Sequence, residues 1–186
     1  MKKSIYIHIP KTADISIQQY GIDNNININV IGHHSPAKDI INRYKDYFLF
    51  TFVRNPYDRF MSSYYFYKDA PVGTKVIRDD IQQYKTFKDF CLNFQSFKHK
   101  TDIQFYNQTH FILDNNDNLI VDFVGRFEDI ASGWEEICKI GGWEHKKLPH
   151  KNKTEHLYWE DEYNDDMKEI VFNLFTNDFK YFNYKK

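Results

Sequence analysis

Residues 47–53, Tyr-Phe-Leu-Phe-Thr-Phe-Val, are the most strand-like stretch of the chain. A nearly continuous apolar run of this kind has no polar face to offer water, so it predicts a central strand covered on both sides. Such strands belong to parallel sheets, whose crossover connections lay helices over the faces. The run stops at Arg54-Asn55-Pro56. Asn55 is a natural helix cap and Pro56 a natural first helical residue, so a helix is predicted over 56–68, with Phe60, Tyr64 and Tyr67 along one side. Arg54 then falls at the carboxyl end of a central strand, the edge where open α/β sheets hold ligands. Ser62 lies about two turns into the helix.

The N-terminus repeats the plan. An apolar strand over 5–9 is halted by Pro10, which cannot donate to a sheet ladder, and Lys11-Thr12-Ala13-Asp14-Ile15-Ser16 leads towards a short helix. A strand turning tightly into a helix start leaves several backbone N–H groups aimed one way, where an anion can bind with help from the helix dipole. Lys11 adds a mobile positive charge there. The stretch lacks the glycine-rich pattern of a triphosphate loop. It is also the commonest local plan of any α/β protein, in which a turn lysine is simply solvated.

The remaining segments continue the alternation. A polar, Asn-rich connection over 23–29 leads to a second short strand ending at Val30 and Ile31, then to Gly32-His33-His34-Ser35-Pro36. Ser35 reads as a cap and Pro36 as the first residue of a helix running to 44. Residues 69–85 read as a loop, and 86–95 as a helix with Phe87, Phe90, Cys91 and Phe94 at helical spacing. Residues 110–124 predict a hairpin, with strands at 111–113 and 119–124 around a turn of Asp and Asn. A helix over 129–140 ends at Gly141-Gly142, a basic loop covers 146–154, and a last helix covers 161–179. With no repeats and no dividing linker, the expectation is one α/β domain over 1–186: three layers around a central, mainly parallel sheet.

Composition narrows the function. Lys plus Arg number 25 against 26 Asp plus Glu, which argues against a general nucleic-acid binder and leaves any anion site to a local cluster. Cys91 and Cys138 are far apart without metal-type spacing and read as buried thiols of a reducing compartment. No window reaches the roughly 18 apolar residues that span a bilayer, and residues 1–4 run straight into a core strand, leaving no room for a signal peptide. The chain is expected to be cytoplasmic.

Taken together, these segments resemble the PAPS-dependent carbohydrate sulfotransferases, where PAPS is 3′-phosphoadenosine 5′-phosphosulfate. Ile5-Tyr6-Ile7-His8-Ile9-Pro10-Lys11-Thr12-Ala13 is similar to the family's 5′-phosphosulfate loop. Phe52-Val53-Arg54-Asn55-Pro56-Tyr57-Asp58-Arg59, followed by Ser62 and Tyr64, resembles its 3′-phosphate motif. Asp122-Phe123-Val124-Gly125-Arg126-Phe127-Glu128, the Leu148-Pro149-His150-Lys151-Asn152-Lys153 segment, and the C-terminal stretch with Asp178, Phe182 and Tyr184 follow in the family's order. The nearest likeness is to the bacterial and viral members of the group that includes heparan sulfate 2-O-sulfotransferase.

The resemblance implies a sulfotransferase fold like that of the P-loop nucleoside triphosphatases and in-line transfer of a sulfuryl group from PAPS to a hydroxyl, most readily of a carbohydrate, without a metal. It implies that the amides of Lys11, Thr12 and Ala13 with the Ser16 hydroxyl hold the 5′-phosphate. Lys11 would neutralise charge growing on the bridging oxygen. Arg54 would hold the 3′-phosphate in a forked contact with help from Ser62, and Lys153 and Thr154 are further candidates for that phosphate. His34 matches the catalytic histidine as general base, with His33 the alternate, since adjacent side chains diverge. Arg126 and Glu128 are expected to tie loops together.

One position departs from the family pattern. Where a glycine is usual the chain has Asp14, which brings a side chain and a negative charge to a loop that would face a phosphosulfate. An Asp is electrostatically at ease near a helix start. The alternative reading is therefore a non-catalytic relative that binds a nucleotide or glycan. A small-molecule kinase with a degenerate phosphate loop, binding Mg-ATP, is a third.

Overall fold

A computed structural model of the chain describes residues 1–29, 34–69, 75–149 and 158–186. Four strands, β1 (Ser4–Tyr6), β2 (Ile28–Asn29), β3 (Phe48–Val53) and β4 (Phe123–Arg126), form an all-parallel sheet in the order β2-β1-β3-β4. The register sets Tyr6 beside Phe50, and Phe50 beside Phe123. Helix α1 (Asp14–Asp23) connects β1 to β2, and the short α2 (Ala37–Ile40) precedes β3. The chain leaves β1 towards one edge of the sheet and later returns on its other side as β3. Neighbouring β1 and β3 are therefore the topological switch point, where the carboxyl ends of adjacent strands diverge and leave a crevice.

After β3 come α3 (Pro56–Asp69), α4 (Lys75–Ile81), α5 (Phe87–Leu92) and α6 (Thr109–Ile112), with two 3₁₀ turns at Phe94–Ser96 and Ile103–Phe105. Beyond β4 lie α7 (Ile130–Gly141), α8 (Trp159–Glu162), α9 (Asp165–Leu174) and α10 (Thr176–Tyr181). Chain contacts divide these elements into two compact units, Met1–Arg54 with Gln108–Lys153, and Asn55–Asn107 with Thr154–Lys186.

In the first unit, alternate residues of the paired strands bring Tyr6, Phe48, Phe50 and Phe52 to one face of the sheet. There they pack on Ile17 and Tyr20 of α1 and on Trp134, Ile137 and Cys138 of α7. Burying each aliphatic or Phe side chain contributes about 1.5–3 kcal/mol, so this layer holds α1, and with it the turn before α1, against the strand ends. Two glycines make room for one ring. A Cβ added to Gly125 would meet Phe52 at 2.4 Å, and one on Gly133 would meet it at 2.9 Å.

The second unit is aromatic at its centre. Tyr57, Phe60 and Tyr64 of α3 pack with Phe87 and Phe90 of α5, the turn residues Phe94, Phe97 and Phe105, and Met167, Val171, Phe175 and Phe179 of the C-terminal helices. The caps are those the residue types demand. Asn55 accepts from the Tyr57 amide at 2.9 Å, Thr86 from Asp89 at 3.1 Å and Asn164 from Met167 at 2.9 Å.

Several elements differ from the sequence reading. The expected strand at 111–113 is instead helix α6, closed by Leu113 N–H to Thr109 O at 3.0 Å. Only an isolated antiparallel bridge, Leu113 to Leu119, survives of the hairpin, and 123–126 pairs in parallel with β3. A short apolar run cannot distinguish a strand from a buried helical turn. The stretch at 69–85 contains α4, whose inward residue Ile81 is fully buried. The last helix is broken at Phe175, where the Thr176 hydroxyl donates back to Phe172 O at 2.9 Å and competes with the helical ladder. Pro36, expected inside the first turn of α2, is its cap. Val30, Ile31, His33, Lys153 and Thr154 lie outside the described residues.

Candidate functional site

The turn after β1 is built from its own polar groups. Ile7 N–H still reaches Phe50 O at 2.9 Å, and Ile9 N–H then folds back on Ile7 O at 3.1 Å, ending the strand sooner than its apolar run. The Thr12 hydroxyl donates to Ile9 O at 2.8 Å, while the Tyr6 hydroxyl bonds Thr12 Oγ1 at 3.0 Å. Thr12 is fully buried, so its side chain shapes the turn and only its backbone is left for a ligand.

Lys11 and Ala13 have φ of 69° and 77°, in the left-handed region that costs a non-glycine residue roughly 1–2 kcal/mol. Left-handed Ala13 followed by right-handed Asp14 turns successive amides to one side, the concave arrangement that holds anions. The first backbone bond reaching into α1 is Ile17 N–H to Ala13 O at 3.1 Å, so the amides before it project from the helix start. Asp14 itself is the first helical residue. The unusual backbone expected at the glycine position is therefore carried by its neighbours, and the side chain at 14 costs no backbone strain.

Arg54 reaches this turn from the end of β3. Its Nη1 donates to Lys11 O at 3.2 Å, and its guanidinium lies 4.3 Å from the centre of the Phe127 ring, just after β4. Its backbone is clamped by Gln108, whose side chain accepts from Arg54 N–H and donates to Arg54 O, both at 2.8 Å. Arg54 is 8% exposed and Gln108 fully buried. A guanidinium presents its donors in a planar fork whose geometry matches a phosphate. Burial, and then the neighbouring Arg54 charge, push the Lys11 amine down to about 8. Two cations near enough for one to shift the other favour an anion beside them.

A second cluster adjoins the loop. His8 Nε2 lies 3.0 Å from Asp14 Oδ2, the His8 and His34 rings are 4.0 Å apart, and His34 Nδ1 faces His8 O at 3.2 Å. His34 has φ of 61°, an uncommon backbone state for a residue with a ring. Burial pushes the Asp14 carboxyl up, but the His8 hydrogen bond and the charges of His8, Lys11 and His34 outweigh it and hold the carboxyl below its usual range.

Of the residues expected to act together, Lys11, Thr12, Ala13, Ser16, Arg54 and His34 all lie in the first unit. Ser16 is buried in the first turn of α1. Ser62 belongs to the second unit, buried on α3. The two arginines of the Arg54 segment separate: Arg59 is buried in the second unit, where Nη1 donates to Gln104 O at 3.1 Å and Nη2 to Tyr106 O. Sequence reasoning missed His8 as a functional group, though it stood in the loop motif. Gln108 and Phe127 carried no signal, because their roles depend on distant backbone. Among the described residues no three His, Cys, Asp or Glu are placed to hold a metal, and no helix is long and apolar enough to cross a membrane.

Residues 2–185 match a family model described as the sulfotransferase family. Neither the curated proteins nor the solved structures compared with the chain gave a match.

Proposed function

The chain belongs to the sulfotransferase family and is on that ground a sulfuryl-transferring enzyme, and we propose that its donor is PAPS and its acceptor a carbohydrate hydroxyl. The observation that carries the reading is the 3.2 Å bond from the Arg54 guanidinium to the Lys11 carbonyl, because it joins two cationic anchors at the β1/β3 switch point. Nucleotide bisphosphates need two anionic ends held at once. The left-handed Lys11 and Ala13 and the start of α1 suit a tetrahedral 5′-phosphate, and Ser16 adds a hydroxyl beside them. Arg54 suits the 3′-phosphate through a planar fork that lysine cannot copy.

The chemistry required of the residues is modest. Lys11 offers positive charge where the leaving phosphate gains negative charge, and charge-directed donors of this kind are commonly the largest catalytic contribution. His34 takes the proton of the acceptor hydroxyl as its oxygen attacks sulfur in line with the breaking sulfur–oxygen bond, a role typically contributing about 10²–10⁴ in rate. The electron pair of the broken bond leaves with the bisphosphate product.

Calorimetric titration with 3′-phosphoadenosine 5′-phosphate, together with label transfer from PAPS to a panel of glycans, tests the reading. Saturable binding that Arg54→Ala weakens by about 10-fold or more is expected, from the roughly 1.5–3 kcal/mol of a charged hydrogen bond. Equal affinity in the variant, or a preference for Mg-ATP, would overturn it.

A further inference from the structure

The loop carries a carboxylate where a phosphate-binding turn has least reason to hold one, and that carboxylate is engaged. Asp14 Oδ2 meets His8 Nε2 at 3.0 Å, with the Asp14 side chain 23% and the His8 side chain 8% exposed. The other nitrogen of His8, Nδ1, is buried and has no hydrogen-bond partner among the described residues. A buried N–H with no acceptor is costlier than a bare lone pair, so the proton belongs on Nε2, donated to Asp14. His34 is fixed in the opposite sense. Its Nδ1 faces the His8 carbonyl at 3.2 Å, and a carbonyl can only accept, so Nδ1 carries the proton and Nε2 the lone pair. The rings lie 4.0 Å apart, tilted by 42°.

We propose that Asp14 and His8 are positioning residues for His34: the His8 carbonyl fixes its tautomer, and the Asp14 carboxylate, tethered by the His8 ring, balances the charge that His34 gains with the acceptor proton. The proposal rests on the reading of His34 as the base. In the balanced step, the acceptor O–H bond breaks towards His34 Nε2 while acceptor oxygen bonds to sulfur and the donor's bridging oxygen departs with its electron pair. Positive charge then grows on an imidazole whose neighbouring ring is hydrogen-bonded to a carboxylate. Buried carboxylates beside catalytic imidazoles serve this purpose in other enzymes by orienting the ring and stabilising the imidazolium. A left-handed backbone at His34 is the kind of local strain kept where orientation matters.

The surrounding charges agree with this. Lys11, on the same turn, and Arg54, from β3, are cations that would oppose a third positive charge, and Asp14 offsets them. Tyr6, whose ring lies 6.1 Å from His8, is kept neutral by burial. Asp14 thus serves the acceptor side of the site at some cost to the donor side.

Nitrogen-15 NMR of the histidine rings tests the proposal without any acceptor. In the wild-type chain, His8 is expected as the Nε2-protonated tautomer and His34 as the Nδ1-protonated one. In Asp14→Asn, the pH at which the His34 ring signals pass from neutral to protonated should fall by about one unit, the shift that losing a nearby opposite charge produces. Asp14→Glu should restore most of it. The opposite tautomer at either ring, or a His34 transition unmoved in Asp14→Asn, overturns the proposal, and the wild-type tautomers decide it even where the variant does not fold. Bisphosphate binding by the wild-type chain, measured on the same sample, separates the two claims. Its absence defeats the donor reading while the ring signatures still judge the pair.

Discussion

The Arg54 guanidinium and the Lys11 carbonyl are hydrogen-bonded at 3.2 Å, although 43 positions separate them in the chain. The bond exists because β1 and β3 are sheet neighbours, so the turn leaving one strand and the residue ending the other share a crevice. Gln108 sets the position of Arg54 through both of its backbone groups. Gln108→Leu removes both of these buried hydrogen bonds, at about 0.5–1.5 kcal/mol each. Urea unfolding should show that loss of stability, and bisphosphate affinity should fall with it because Arg54 is no longer held. A variant with unchanged unfolding midpoint and affinity would dismiss the clamp.

Lys11 is expected to make bisphosphate binding dependent on pH. Its amine, lowered to about 8 by burial and by Arg54, is neutral in the free protein above that pH, earlier than an ordinary lysine. Binding a bisphosphate favours the charged amine, so above about pH 8 binding takes up a proton, and affinity declines as pH rises further. Titration at about pH 8.5 in buffers of different ionisation enthalpy should give heats that differ from buffer to buffer. Lys11→Arg should abolish both the difference and the pH dependence. Identical heats for the wild type would contradict the assignment.

How much of this could be read in advance follows from what each residue depends upon. Arg54 was legible because a long apolar run, a cap and a proline fix the end of β3 using neighbouring residues alone. The loop was legible for the same reason, through Pro10 and the helix start. The 109–113 segment was not, because the helix starts at Thr109 just after Gln108, whose side chain anchors a strand end far away in sequence, and no local period records that. Asp14 was noticed as an anomaly, but its partner was hidden: His8 lies six residues earlier, and the turn between them, with its left-handed residues at 11 and 13, brings the two together.

Phe52 shows where the sheet tolerates no additional atom. A Cβ at Gly125 would sit 2.4 Å from its ring, with α7 closing the other side at Gly133. Gly125→Ala must therefore displace either the ring or β4, and overpacking of this kind costs about 1–3 kcal/mol. Since Phe127 follows β4 and lies under Arg54, the variant should also weaken bisphosphate binding. Paired melting and binding measurements would show both effects, and a normal melting temperature would refute the first.

The cysteines should be chemically silent in the native state. Cys91 is fully buried on α5 and burial pushes its thiol up to about 12, while burial also raises Cys138 on α7. Thiolate is the reactive form, so a disulfide reagent at neutral pH should label neither residue until the chain is denatured. Rapid labelling of the native protein would mean that the surrounding helices open readily.

Asp14→Gly pulls apart the two demands on the loop. The carboxylate lies close enough to Lys11 for their charges to interact, and its negative charge opposes an incoming phosphate. Removing it should tighten bisphosphate binding several-fold, on the order of 1 kcal/mol. Stability should move the other way. The Asp14 carboxyl is held below its usual range, so its contribution is present above the ordinary carboxylate range and lost as pH falls through the folded value. The variant should therefore be less stable than the wild type at neutral pH, and the gap should close on acidification. Glycine at a helix start also lacks an acidic group to meet the dipole, which adds to the loss. Titration with the bisphosphate at neutral pH and urea melts across the acid range would measure both. Unchanged affinity would mean that the hydrogen bond from His8 already screens Asp14 from the donor, and an undiminished stability gap at low pH would remove the Asp14–His8 contact as its cause.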